Sequence, residues 1–173
     1  KGIRYPFTFA GRRKLDEVVL SEPRNSILRE HLELIDSLEE RIHEADIKLK
    51  KLGRPNPDVW RLRKMPGFDT LSAMAFVAEI GDVNRFSNAD QVAAFLGLVP
   101  RVYASGSVKR TGRITKEGSK YMRCLLVQCA WAAIKASPNL RDCFNNISRR
   151  RGKKVAIIAI ARKLATIAYS MIK

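Results

Sequence analysis

Residues 26–52 read SILREHLELIDSLEERIHEADIKLKKL. Leu28, Ile35, Ile42 and Leu49 recur at every seventh residue. His31, Leu38, Ala45 and Leu52 fall between them at the complementary spacing, and Glu, Arg and Lys occupy the other positions. This is the a/d seam of a coiled coil sustained over about four heptads. A helix of this length runs about 40 Å at ~1.5 Å per residue. Gly53 and Pro55 end it. A single amphipathic helix packed on its own domain gives a similar pattern, but the narrow, strict seam favours a coiled coil.

Residues 1–23 have no clean period; Pro6 and Gly11 break them and Pro23 closes them. They read as a linker or the remnant of a preceding domain, and the start at Lys1 suggests a fragment or a processed chain. Downstream, a short helix is predicted around Asp58–Lys64 and an apolar one from Leu71 to Ile80, closed by Gly81. Another begins at Ser87-Asn88-Ala89-Asp90 with a Ser-x-x-Asp cap and ends near Gly97. Helices over 120–136, 139–151 and 153–172 complete the chain, separated by Pro138 and Gly152. Only Arg101–Ala104 hints at period-2 alternation. The fold class is therefore all-α, with a coiled-coil helix over 24–53 and a compact helical domain over 58–173.

Composition narrows the function. The hydrophobic content of 46% suits a packed core rather than a disordered tail. No apolar run reaches the roughly 20 residues of a transmembrane helix. The three cysteines, at 124, 129 and 143, lack a second metal-ligating pair nearby; they read as core thiols, and no metal site is expected. With no disulfide framework, a reducing cytoplasm is expected. The net charge is +16, and residues 100–154 carry most of it: 14 Lys and Arg stand there against Glu117 and Asp142. So concentrated a charge points to a polyanion, most often nucleic acid.

That charge begins in RVYASGSVKRTGRITKEGSKYMR, residues 101–123. The stretch reads as a flexible basic connection. Arg101, Lys109, Arg110, Arg113 and Lys116 surround Ser105-Gly106, with Lys120 and Arg123 opening the next helix. Guanidinium groups bind phosphate bidentately and stabilise charge built up in phosphoryl transfer. A serine there is either a nucleophile toward a phosphodiester or part of a polar grip on a backbone, and Ser107 is as well placed as Ser105. A serine nucleophile needs a base or a metal, and this stretch offers neither. Upstream, Met65-Pro66-Gly67-Phe68-Asp69 resembles a helix-hairpin-helix turn, in which Gly67 would offer its backbone to phosphate. Asp69 stands where that pattern carries a second glycine; it would repel phosphate, or cap the following helix.

The stretch from Met65 to Lys173 resembles the C-terminal domain of the insertion-sequence-110/1111 transposases, the bridge-RNA-guided recombinases. The resemblance rests on Gly81-Asp82, Arg85-Phe86, Gly97, Pro100, Ser105-Gly106, Gly112, Ile114, Lys116, Gly118, Arg123 and Leu126, matched in order. It implies that Ser105 is a nucleophile that cuts and rejoins DNA, and that an N-terminal RNase-H-like domain, absent from this chain, supplies four acidic ligands for Mg2+. It further implies DNA and a guide RNA as partners, while the seam from Leu28 to Leu52 itself predicts a homodimer or tetramer through the coiled coil. A cytoplasmic, nucleoid-associated protein with no membrane partner is expected. The alternatives are a non-enzymatic helix-hairpin-helix-type nucleic-acid-binding module and a coiled-coil scaffold whose charge is incidental.

Overall fold

The structure, a computed structural model, describes residues 8–105 and 108–173, with side chains for 8–102 and 112–173. The described residues form eight α-helices, one 3-10 turn and one two-stranded ribbon, an all-α fold. They divide into two compact units, with the division at Ile47/Lys48.

The first unit contains a helix where no clean period is visible in the sequence. This helix, α1 (Phe9–Glu17), starts at Thr8, whose hydroxyl accepts from the Gly11 N–H. Its Arg12 donates to the Leu32 carbonyl at 3.2 Å and to the Asp36 carboxylate at 2.6 Å. Arg29 holds the chain leaving α1 through the Asp16 and Val18 carbonyls. Both arginines thus tie α1 and its exit to the long helix α2 (Arg24–Gly53). Around these bonds Leu32 is buried and Leu28 and Ile35 are half-buried. The predicted seam is partly covered by its own chain at its start. Further along, Leu38 and Ile42 stay 47% and 61% exposed.

In the second unit most helix starts are set by side-chain caps. Asn56 accepts from Asp58 N and Val59 N to begin α3 (Pro57–Leu62). Asp69 accepts from Ser72 N at 2.8 Å, and the Ser72 hydroxyl accepts from Asp69 N, a capping box that opens α4 (Thr70–Ile80). Asp82 caps a 3-10 turn, Val83–Arg85. The cap of α5 (Ala89–Phe95) is Asn88, which accepts from Gln91 N, and not the expected Ser87; Ser87 N instead donates to Gln91 Oε1.

Residues 100–105 and 108–114 correct another expectation. In place of a loop they form an antiparallel hairpin of β1 (Pro100–Ser105) and β2 (Val108–Ile114). Then come α6 (Lys120–Ala136), capped by Ser119, α7 (Pro138–Arg151) and α8 (Lys153–Ile172).

The last helix, α8, is the axis of the core. It packs against α3, α5, α6 and α7. Its buried Ala156, Ala161, Ala165 and Ala168 let neighbouring helices come close, while Ile157, Ile160 and Leu164 join Phe76, Leu96, Met122 and Leu126 in one hydrophobic core. Tyr169 donates a buried hydrogen bond to the Phe86 carbonyl at 2.7 Å. At 20 residues, α8 is long and apolar enough to cross a membrane by composition alone, contrary to the expectation from apolar runs. Its apolar face is instead spent on this core.

Candidate nucleic-acid interface

The hairpin is anchored at its base by backbone hydrogen bonds from Thr115 N to Val99 O and from Lys116 N to Gly97 O. Arg101 adds a side-chain bond to the Thr115 carbonyl at 3.3 Å. Its register pairs Ser105 with Val108, Ala104 with Lys109, Tyr103 with Arg110 and Val102 with Thr111. Between Val102 and Pro100 the pairing shifts, and β2 carries the extra residue within Gly112-Arg113. A glycine suits such a bulge. Gly112 therefore has a local structural use besides any approach to a duplex.

Beneath the hairpin, two glycines let backbones meet. A Cβ on Gly118 would come within 2.1 Å of the Phe95 carbonyl oxygen. A Cβ on Gly97, at φ +66°, would come within 2.7 Å of Glu117 N. The turn after α5 and the segment entering α6 thus touch main chain to main chain, and this junction carries the ribbon. Arg123 reinforces it: its guanidinium donates to the Gly118 carbonyl and to the Leu96 carbonyl at 3.4 Å.

The nominated residues therefore separate. Arg101, Arg113, Lys116 and Lys120 are exposed on the hairpin and its exit. Arg123 is half-buried and braces the ribbon. Ser105 closes β1, and Lys109 and Arg110 lie in β2; their side chains, with all of Gly106 and Ser107, lie outside the described residues. Gly67, at φ +84°, faces α6: a Cβ there would sit 2.2 Å from the Cys129 carbonyl oxygen. It serves helix packing, and Asp69 beside it caps α4.

Other motif residues also have structural work. The Arg85 guanidinium lies 4.5 Å from the ring centroids of both Phe86 and Phe95. Phe86 is buried against Tyr169. Of the cysteines, Cys129 is buried, Cys143 half-buried and Cys124 exposed. Burial pushes the Cys129 thiol up from its ordinary range, which keeps it protonated and unreactive.

One group of cations enters the sequence only as part of a charge total and is not nominated there. Arg149, Arg150, Arg151, Lys153 and Lys154 surround Gly152 at the α7–α8 corner, and all five are exposed. None pairs with a carboxylate among the described residues. The first turn of α8 holds no acidic residue and its N-cap makes no side-chain hydrogen bond. Lys153 and Lys154 thus sit at the positive end of a helix dipole, a locally unfavourable arrangement that an external anion would relieve. The bond from Arg141 to the Ile134 carbonyl and the packing of Trp131 on Phe144 show α7 running back alongside α6.

The sequence pattern of the family described as transposase IS116/IS110/IS902 matches residues 60–145. Over 157 residues the chain is 32% identical to a probable family 20 transposase of Pseudomonas aeruginosa, covering 88% of this chain and 46% of that protein. Over 138 residues it is 32% identical to the transposase for insertion sequence element IS1111A of Coxiella burnetii, covering 78% and 38%. A pilin gene-inverting protein of Moraxella bovis is 32% identical over 118 residues, covering 65% and 36%. The chain spans less than half the length of each of these relatives. With the ordered motifs from Gly81 to Leu126 built into one helical unit and the same stretch matched by the family pattern, the chain belongs to the IS116/IS110/IS902 family of transposases.

Proposed function

We propose that this chain is the DNA-joining half of a transposase that grips a DNA backbone along the basic hairpin and supplies Ser105 as the nucleophile. The observation that carries this reading is the position of Ser105 as the last residue of β1, in a ribbon whose described cations are exposed and whose following turn holds a single acid, Glu117. Ser105 and Arg110 stand two rungs apart in the register of the ribbon. Arg101, Arg113, Lys116 and Lys120 extend the positive field, and the α7–α8 corner adds a second grip.

The serine step is a transesterification. The Ser105 oxygen forms a bond to phosphorus and loses its proton, the bond from phosphorus to one deoxyribose oxygen breaks, and that oxygen leaves as a hydroxyl. Joining runs in reverse: a strand hydroxyl attacks the phosphoserine and the serine is restored. No redox partner is needed. Among the described residues, no three His, Cys, Asp or Glu gather closely enough to hold a metal, so no step is assigned to a metal within this chain. On this reading the proton acceptor and any Mg2+ belong to the N-terminal RNase-H-like domain that the family resemblance implies. A guide RNA, a nucleoid location and an assembly of two or four copies through the exposed seam of α2 belong to the same proposal. The pilin gene-inverting relative supports DNA rearrangement as the outcome.

The test uses the full-length protein and nicked DNA. Ser105→Ala should abolish covalent trapping and strand exchange while DNA affinity stays within about twofold, because the grip rests on dispersed charges. Ser107→Ala should retain exchange. Recombination at the wild-type rate by Ser105→Ala would leave the non-enzymatic binding module as the correct reading.

A further inference from the structure

A cleft of about 170 Å3 opens between the end of α2, α3 and the start of α4, on the second unit. Lys50, Arg54 and Arg63 line it, with Val59 and Thr70, and no carboxylate does. Its wall is held by close packing at Gly53, where a Cβ would come within 2.8 Å of Met74 Sδ. Trp60 completes the lining and is 58% exposed. The Lys64 ammonium lies 3.5 Å from the indole centroid. With the ammonium over the ring, the indole still keeps more than half of its surface exposed. The cleft is small, sized for a single flat group and far short of a duplex.

Neither the hairpin nor the serine uses this site, and no motif of the family resemblance includes Trp60. Leaving a large aromatic in water forgoes the stabilisation of burying it. Three cations gathered without a counter-charge repel one another. A single ligand relieves both: a planar aromatic base for the indole and an anion for the cations. An acidic peptide or bare phosphate would engage only the cations. A nucleotide engages the whole site, and stacking on an aromatic with cations tracking the phosphates is how unpaired strands are bound.

We infer that this cleft binds one unpaired nucleotide, its base against Trp60 and its phosphate among Lys50, Arg54 and Arg63. The inference rests on the chain acting on nucleic acid, as proposed above, and is independent of Ser105. The nucleotide is either part of a single strand or free.

Trp60 and Trp131 are the two tryptophans of the chain, so Trp131→Phe leaves Trp60 as the single indole reporter. The 173-residue chain with this change is titrated with a thymidine oligonucleotide of about eight residues, with thymidine monophosphate and with duplex DNA. We expect saturable quenching of Trp60 by the oligonucleotide. In the Trp131→Phe background, with affinity read by the anisotropy of a dye-labelled oligonucleotide, Trp60→Phe should retain most of the oligonucleotide affinity and Trp60→Ala should lose about tenfold, the cost of one stacked base. Quenching by the monophosphate at equal nucleotide concentration would assign the site to a free nucleotide; quenching by the oligonucleotide alone would assign it to a strand. Oligonucleotide binding with unchanged Trp60 emission, or Trp60→Ala affinity within about twofold of its parent, would overturn the inference. The hairpin variant Arg110→Gln/Arg113→Gln should lose duplex affinity and keep the quenching. Loss of both together would mean a single diffuse electrostatic footprint and no nucleotide site.

Discussion

Gly67 shows how one hydrogen in place of a methyl decides the packing of two elements. Its φ of +84° suits glycine, and its Cα faces the α6 backbone at a distance that excludes a Cβ. Gly67→Ala should therefore cost about 3 kcal/mol, combining backbone strain with displacement of α6. Gly81→Ala, also at positive φ but facing open space, should cost less. Denaturant unfolding of the two variants measures the contrast. The cysteines offer a second test at this scale. Cys124 is exposed and Cys129 buried with its thiol pushed up. A thiol reagent at neutral pH should label Cys124 quickly and Cys129 only as fast as the chain opens. The folded state holds the Cys129 proton more tightly than the unfolded state. Above the ordinary thiol range the unfolded chain thus binds fewer protons, and stability should fall as pH rises through that range. Cys129→Ala should reduce this alkaline loss.

Among the elements, α2 carries the clearest prediction. Leu38 and Ile42 belong to the seam and stand well exposed, whereas Leu28 and Ile35 are half-buried within their own unit. Leu38→Asp with Ile42→Asp should therefore yield monomers without unfolding the chain, because these seam positions give up less intramolecular packing than Leu28 or Ile35 would. Sedimentation reports the mass and circular dichroism the helicity; a double variant that still sediments as an assembly would show that the seam does not hold copies together. The hairpin is the element whose nature was least visible in the sequence. Its residues carry turn and charge signals, and their alternation is clear only over Arg101–Ala104. The pairing partner that makes a strand of β2 lies in the same ribbon, and cross-strand register leaves little trace in local composition. The reverse holds for α4 and α6. Asp69, Ser72 and Ser119 are cap residues at readable positions, and the structure uses each of them as a cap.

Across the whole molecule, most of the exposed cations described within residues 100–154 fall into two groups, the hairpin with its exit and the α7–α8 corner. Replacing Arg149, Arg151, Lys153 and Lys154 with Gln should weaken binding to any duplex sequence. It should also flatten the dependence of log affinity on log salt by about 0.9 for each phosphate no longer neutralised. An unchanged slope would mean that the corner meets no phosphate. The order of helices from α2 onward, Asp69 as one of two readings for the start of α4, and the location of the charge were legible from the chain alone, because each depends on residues a few positions apart. The motif from Gly81 to Leu126 also sufficed to identify the family. Tertiary structure alone decided that Gly67, Gly97 and Gly118 are points where backbones meet, that Arg123 is a brace, that α8 spends its apolar face on a core, and that Trp60 stands beside Lys50, Arg54 and Arg63. The physical reason is distance along the chain. Caps and helical periods act through hydrogen bonds and side chains within one or two turns, whereas the space around a glycine or an arginine is set by whichever distant segment the fold brings against it.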